Sequence, residues 1–203
     1  MKIEKIKFKN RADATAQLCE VLPLETMKQD RWIVLAISNN ATTIAKDIAS
    51  KIGAEFDYMF THKIFTSKNS ECEIAIITET QEIVIHEELM KSFNLDLEQI
   101  YEKSTEIYNT KIQQDKKEQR DGKDILNLTD ANVLLVDEGL NTGLTMMACI
   151  KSVINKKARS ICVAVPILPE ITINDIEILA DDLYYVEAPK HFVSIDFYYD
   201  ELN

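Results

Sequence analysis

Glycine is scarce in this chain, with four residues among 203. Two of the four, Gly139 and Gly143, lie in one short segment, residues 133–145, so the backbone needs glycine there. The Gly-x-x-x-x-Gly-Lys pattern of ATP-binding P-loops is absent. The four cysteines form no Cys-x-x-Cys pair and lie in or beside apolar segments, which favours buried small side chains over a disulfide framework or a metal site.

Basic residues are also in the minority. The chain has 23 Lys and Arg against 34 Asp and Glu, and the net charge of −11 argues against nonspecific nucleic-acid binding, which needs cations to neutralise phosphates. The basic amino terminus is followed by no long apolar stretch, so we expect no signal peptide, no membrane span and a cytoplasmic protein. On an acidic protein, an anionic ligand needs Mg²⁺ or a few cationic groups at the mouth of its site.

Apolar runs that alternate with helical patterns indicate an α/β fold. We predict an open, mostly parallel sheet with helices on both faces, in one domain over residues 1–203. Strands are expected at residues 3–8, 32–37, 56–61, 74–78, 83–86, 133–136, 160–165 and 183–186. Helices are expected at residues 11–22, 43–52, 97–108 and 174–180, and after residue 145. Residues 70–125 are expected to form a small cap, a hairpin and a helical insertion, with a mobile or protruding segment at 111–122.

Two acidic residues follow the buried strand at 133–136. Asp137 and Glu138 therefore emerge at the rim of the sheet, where open α/β sheets bind ligands. Residues 141–145 then place backbone N–H groups and two threonine hydroxyls at a helix start, which attracts phosphate. A ligand that suits both halves carries a phosphate for the loop and hydroxyls or a bound cation for the carboxylates, as ribose 5-phosphate does. The alternative is a plain strand-to-helix turn, with glycine for its backbone angles and acids that cap the helix or face solvent.

The same segment resembles the ribosyl-phosphate binding motif of type I phosphoribosyltransferases: an apolar strand, two acids, Gly, two variable positions and Thr-Gly-x-Thr. The resemblance extends to a start of the form Phe-x-x-Arg-x-x-Ala, at residues 8–14, and to an aromatic-rich tail, at residues 192–200. It is closest to the predicted bacterial phosphoribosyltransferases of this length. It implies transfer of a ribosyl phosphate from phosphoribosyl diphosphate to a base-like acceptor, with Mg²⁺ on the diphosphate leaving group.

The resemblance also assigns residues. Asp137 and Glu138 would bind the ribose 2- and 3-hydroxyls. The 5-phosphate would be held by the loop that follows, namely Asn141, Thr142, Gly143, Leu144 and Thr145. No side chain is assigned as a metal ligand.

The diphosphate side departs from the family pattern. Family members usually have a glycine-containing turn after the first sheet strand, where this chain has Ser38, Asn39 and Asn40. Asparagine tolerates left-handed backbone angles, so the turn can form, but a cation and a close backbone approach are lost. After the second strand, His62 and Lys63 replace the family's Arg-Lys. Lys63 is a candidate diphosphate contact, and His62 is more typical of a hydrogen-bonded rim residue.

These departures favour a second hypothesis, a binding module that senses a nucleotide or phosphoribosyl diphosphate without transfer. The enzyme remains the leading prediction, because the acidic pair has no evident structural use if no ribose binds. A third hypothesis is a structural subunit of a larger assembly. We assign no role to Lys116, Lys117 and Arg120, since charge runs are usually solvated faces. The aromatic tail is expected mainly in the core, with base stacking or a homodimer interface as alternatives.

Overall fold

A computed structural model describes residues 8–66 and 69–201. Its strands are β1 (Trp32–Ala36), β2 (Glu55–Tyr58), β3 (Thr61–Thr66), β4 (Asn69–Thr78), β5 (Ile83–Ile85), β6 (Asn132–Val136), β7 (Ser160–Ile167) and β8 (Asp182–Glu187). Its α-helices are α1 (Arg11–Val21), α2 (Leu24–Met27), α3 (Thr42–Ile52), α4 (Glu87–Ser92), α5 (Leu97–Ile107), α6 (Gln113–Arg120), α7 (Leu144–Asn155) and α8 (Ile173–Glu177). Short 3₁₀ turns lie at Glu170–Thr172 and Ile195–Tyr198.

The larger sheet is entirely parallel, with strand order β2-β1-β6-β7-β8. This confirms the predicted α/β architecture. β6 is buried at every position, as expected of a strand covered on both faces. The chain leaves β1 towards β2 on one side and leaves β6 towards β7 on the other, so the order reverses between β1 and β6. Ligands of open α/β sheets bind at the carboxyl ends of the strands at such a reversal.

Helices cover both faces of this sheet, because alternate side chains of a strand point to opposite sides. Ile33 and Leu135 belong to one core cluster, with Ile150 of α7. Val34, on the other face, belongs to a second cluster with Ile48 of α3. The predicted helices on both faces are thus confirmed.

A smaller antiparallel sheet, in the order β3-β4-β5, forms the cap. Strands β4 and β5 pair with Ala75 opposite Ile85, which confirms the predicted hairpin. One face of this sheet is covered by α5, where Ile100 is buried in the cap's own core. The other face packs on α7 through Ile76 and Leu144. The helix that follows β6 therefore supports the cap as well as the parallel sheet.

The strand predicted at residues 56–61 is present but ends at Tyr58, and a second strand begins at Thr61. Met59 still donates to Ala36 of the parallel sheet (N to O, 3.0 Å), whereas the carbonyl of Phe60 accepts from Glu79 of the cap (2.9 Å). The chain changes sheets between these two residues. His62 and Lys63 consequently lie inside strand β3 and not in a loop that follows a strand.

The prediction of a mobile or protruding segment at 111–122 is wrong. Helix α5 continues through a π-helical turn, Tyr108–Ile112, into α6. Ile112 is fully buried, and the side chains of Lys116 and Arg120 are only 8% and 10% exposed. The charge run is therefore not a solvated face at these two positions.

The described ends of the chain meet beside β7. Phe8 donates to the carbonyl of Tyr198 and forms a bridge with Tyr199. Both tyrosines are buried with Ile167, which confirms that the aromatic tail packs in the core. The predicted edge strand at 3–8 lies outside the described residues except for Phe8. Within residues 8–66 and 69–201, no helix combines the length and the apolar character that crossing a membrane requires.

Candidate functional site

A cavity of about 850 Å³ opens at the carboxyl ends of β1 and β6, where the strand order reverses. Every residue that the sequence assigned to the site lines it. These residues are Ser38, Asn39, Asn40, Lys63, Asp137, Glu138, Asn141, Thr142, Gly143, Leu144 and Thr145. They come from three places: the loop after β1, strand β3 of the cap, and the loop between β6 and α7. The fold thus brings together residues that are more than a hundred positions apart in the chain, from Ser38 to Thr145.

The loop before α7 leaves several backbone donors unpaired. Gly143 precedes the helix with φ +75°, a left-handed angle that suits glycine, and no side chain caps the helix start. Among the described residues, the N–H groups of Thr142, Gly143, Thr145 and Met146 donate no hydrogen bond. Unpaired N–H groups at the amino end of a helix attract anions. This loop can therefore hold a phosphate.

Asp137 is held at the rim by two hydrogen bonds to one oxygen. Its Oδ1 accepts from Ser38 Oγ (2.6 Å) and from the backbone N of Glu138 (2.8 Å). Burial raises the pKa of Asp137 to about 6, against the lowering effect of the Ser38 hydrogen bond. Its Oδ2 accepts from no residue in the described part of the chain and remains able to accept from a ligand hydroxyl.

Glu138 has protein partners on both oxygens, a feature that sequence reasoning missed. Asn40 donates from Nδ2 to Oε1 at 2.6 Å, Arg11 donates from Nε to Oε2 at 2.9 Å, and Arg11 Nη2 also lies 2.9 Å from Oε2. Arg11 lies 127 positions away, at the start of α1, and no local pattern points to this contact. A carboxylate offers about four lone-pair sites, so Oε1 keeps room for one further donor. The arginine also neutralises one of the two negative charges that face a bound phosphate.

The loop after β1 forms a tight turn without the left-handed residues that we expected. Ala41 donates to the carbonyl of Ser38 (3.2 Å), and Thr42 donates to that of Asn39 (3.2 Å). Neither Asn39 nor Asn40 has a positive φ. Helix α3 begins directly after this turn, and residues 38–40 of the turn line the cavity. The turn thus keeps backbone donors near the site although it lacks glycine.

Two basic side chains on the cap side of the cavity, Lys63 and His62, are paired with acids. Lys63 Nζ lies 2.7 Å from Glu73 Oε2, and His62 Nε2 lies 2.7 Å from Asp115 Oδ2. His62 is therefore a hydrogen-bonded rim residue, as expected. The acids of these pairs come from β4 and α6, and no local pattern in the sequence indicates either pairing. An anion that binds here competes with these carboxylates for the cations.

A family model for the phosphoribosyl transferase domain matches residues 8–201. The chain belongs to the phosphoribosyl transferase family. The span that the family model matches includes every residue that lines the cavity.

Known proteins are similar to this chain in sequence or in fold. A protein of Mycobacterium tuberculosis, provisionally named a phosphoribosyl transferase, is 23% identical over 191 residues, which is 93% of this chain and 42% of that protein. The phosphoribosyl transferase domain described here thus spans less than half the length of the curated relatives that it matches. The TT1426 protein of Thermus thermophilus shares the fold with a TM-score of 0.77, at 21% identity over 97% of this chain and 92% of that one. A hypoxanthine phosphoribosyltransferase of Staphylococcus aureus gives a TM-score of 0.50 at 14% identity, over 89% and 76% of the two chains.

In this phosphoribosyl transferase domain, the buried acid Asp137 carries a stability cost that can be measured. The native pKa is higher than that of an unfolded Asp, so the native state binds more protons and stability falls as the pH rises from about 4 through about 6. Asp137→Asn keeps an acceptor for Ser38 and removes the charge. Because one unit of difference in pKa corresponds to 1.36 kcal/mol, we expect the variant to be more stable by about 3 kcal/mol at pH 8 and by less than about 1 kcal/mol at pH 4. Urea unfolding at both pH values checks this, and an equal gain at both would contradict the assignment.

Proposed function

We propose that the cavity binds 5-phosphoribosyl diphosphate, or ribose 5-phosphate as part of it, and that the protein transfers the phosphoribosyl group to a base-like acceptor. One observation supports this above the others. An uncapped helix start, two acids and the turn after β1 line a single cavity at the point where the strand order reverses. The family relationship supports the same class of reaction.

In this proposal the loop before α7 holds the 5-phosphate. The unpaired N–H groups of Thr142, Gly143 and Thr145 donate to it, and Asn141 and Leu144 complete the loop. Asp137 and Glu138 accept from the ribose hydroxyls through Asp137 Oδ2 and the remaining lone pair of Glu138 Oε1.

The diphosphate end is proposed to lie against Ser38, Asn39 and Asn40, with Lys63 as the cationic contact. The side-chain oxygens of Ser38, Asn39 and Asn40 are ligands of the kind that Mg²⁺ takes. Among residues 8–66 and 69–201, no cluster of three metal-binding side chains occurs. Such a site would suit a Mg²⁺ ion that arrives bound to the diphosphate and keeps most of its water ligands. The ion would neutralise charge on the diphosphate leaving group.

In the proposed reaction, the bond from the anomeric carbon to the diphosphate oxygen breaks and a bond to an acceptor nitrogen forms. The carbon passes through an oxocarbenium-like state, and the acceptor loses a proton. The carboxylate of Asp137 lies on the ribose side, where negative charge stabilises the positive carbon. The amide groups of the two loops hold the anionic ends, so the protein acts mainly by positioning and electrostatics.

A sensor without transfer activity is the second candidate. Lys63 and His62 are both paired with carboxylates, so these two side chains offer the diphosphate little free positive charge. The leaving diphosphate gains negative charge in the transition state. It therefore needs positive charge from the protein more than a ligand that only binds does. Such a site can retain a phosphoribosyl ligand and still fail to activate it.

Titration calorimetry with phosphoribosyl diphosphate and Mg²⁺, followed by a diphosphate-release assay over a panel of purine and pyrimidine bases, tests both candidates. We expect a ligand at a hundred times its dissociation constant to add about 2.7 kcal/mol to the stability of the wild-type protein. Asp137→Asn should weaken binding and abolish release. Asp182→Asn, an exposed acid at the start of β8, is the matched control and should change neither.

The outcomes separate the hypotheses. Release that disappears in Asp137→Asn supports the transferase. Tight binding without release for every base supports the sensor. If the wild-type protein binds neither phosphoribosyl diphosphate nor ribose 5-phosphate at millimolar concentration, both proposals are wrong and a structural role gains support.

A further inference from the structure

Glu138 joins segments from three distant parts of the chain. Arg11 reaches its carboxylate from α1, and Asn40 reaches it from the loop after β1. Tyr199, from the carboxyl-terminal tail, donates its hydroxyl to the backbone carbonyl of Glu138 at 2.7 Å. The side chains of Arg11 and Glu138 are only 19% and 9% exposed, so this ion pair is largely withdrawn from solvent.

Two direct hydrogen bonds connect the loop after β1 to the acidic motif. Ser38 donates to Asp137, and Asn40 donates to Glu138, each at 2.6 Å. Because Arg11 occupies the other oxygen of Glu138, the carboxylate is held from both sides and its plane is fixed. A fixed carboxylate in turn fixes the amide of Asn40, since a charge-assisted hydrogen bond is strong and directional.

We propose that Arg11 is a positioning residue that acts through Glu138 to hold Asn40 in place for the diphosphate end of the ligand. Arg11 lies behind Glu138 and is not part of the cavity lining. Its guanidinium places Nε and Nη2 each 2.9 Å from one oxygen, a geometry that a lysine cannot reproduce. The proposal rests on the proposed function, since it assumes that the diphosphate lies against residues 38–40.

Arg11→Lys is the test, because it keeps the charge and removes the forked contact. We expect the affinity for phosphoribosyl diphosphate with Mg²⁺ to fall about tenfold, which corresponds to 1.4 kcal/mol. The affinity for ribose 5-phosphate should fall by clearly less, because this ligand meets Glu138 through its hydroxyls but lacks the diphosphate end that Asn40 would hold. Arg31→Lys, at the exposed Arg31–Glu55 pair, is the matched control and should leave both affinities unchanged.

A double-mutant cycle with Asn40→Ala distinguishes positioning from general support of the fold. If Arg11 acts through Asn40, then Arg11→Lys should change the affinity for phosphoribosyl diphosphate by less than about twofold in the Asn40→Ala background, because coupled residues are not additive. A tenfold loss in both backgrounds would overturn the proposal. So would equal losses for the two ligands, since those would place the effect at the ribose phosphate end.

Failure of the proposed function gives a different result. In that case the wild-type protein itself binds neither ligand, and the inference about Arg11 is rejected with it. Wild-type binding that Arg11→Lys leaves intact rejects only the inference. Tyr199→Phe provides a second variant of the same support, because it removes the hydrogen bond to the Glu138 carbonyl and retains the buried ring. It should weaken binding of phosphoribosyl diphosphate more than that of ribose 5-phosphate.

Discussion

Arg120→Ala is expected to lower the free energy of unfolding by about 3–5 kcal/mol at pH 8, the usual cost of removing one partner from a buried ion pair. Arg120 contacts Asp57 (Nη1 to Oδ2, 3.4 Å) and Glu79, and its guanidinium lies 4.5 Å from the centre of the Phe60 ring. The Asp57 and Glu79 side chains are only 8% and 2% exposed. Without the arginine, both carboxylates stay buried with no cation. Urea unfolding of the wild type and the variant measures the loss.

Two comparisons show whether the loss comes from charge. Burial already raises the pKa of Glu79, so Glu79 in the variant can take up a proton as the pH falls, and the loss should be smaller at pH 5 than at pH 8. Arg120→Ala combined with Glu79→Gln should recover part of the stability, because Gln still accepts from the N–H of Phe60. Arg31→Ala removes an exposed pair and should cost less than about 1 kcal/mol. A loss that is independent of pH would assign the effect to packing against Phe60 instead.

The sequence predicted the parts of this protein whose signals are local. Apolar runs such as residues 32–37 and 133–136 became parallel strands because a strand buried on both faces must be apolar throughout. The motif around Asp137 and Glu138 was found for the same reason, since strand, acids, glycines and helix start are contiguous. The fold then places it opposite Ser38, because adjacent parallel strands end at the same edge.

The features that escaped prediction depend on partners far away in the chain. Arg120 looked like part of a solvated charge run because nothing near it shows that Asp57 and Glu79 lie against it. Likewise, the residues around Arg11 do not indicate its contact with Glu138, which lies 127 positions away. The strand predicted at 56–61 is interrupted because the chain hydrogen-bonds to the cap sheet from Phe60 onwards. Periodicity within a segment carries no information about such contacts.

Gly139→Ala is expected to lower the proposed activity strongly, although residue 139 contributes no side chain to the site. A Cβ at this position would lie 2.7 Å from Ile167 Cγ2, 3.1 Å from the Ile167 carbonyl oxygen and 3.1 Å from Ile195 Cγ1. Gly139 does not have a positive φ, so it is required for space and not for its backbone angle. The carbonyl belongs to strand β7 and cannot rotate away, so the loop that carries Asp137 and Glu138 must move. We expect a stability loss of about 1–3 kcal/mol from overpacking.

The displaced acids should reduce transfer by on the order of 10²-fold, since a misplacement of about 1 Å has that effect on a positioned site. Diphosphate release and calorimetry measure this. Gly122→Ala is the matched control: its φ is +78° and a Cβ there meets nothing within 4 Å, so it should cost stability through strain alone and leave binding unchanged. Ile195→Ala combined with Gly139→Ala removes one of the close contacts and should restore part of the affinity. If Gly139→Ala binds phosphoribosyl diphosphate as the wild type does, the loop tolerates the shift and the acids do not need their present position.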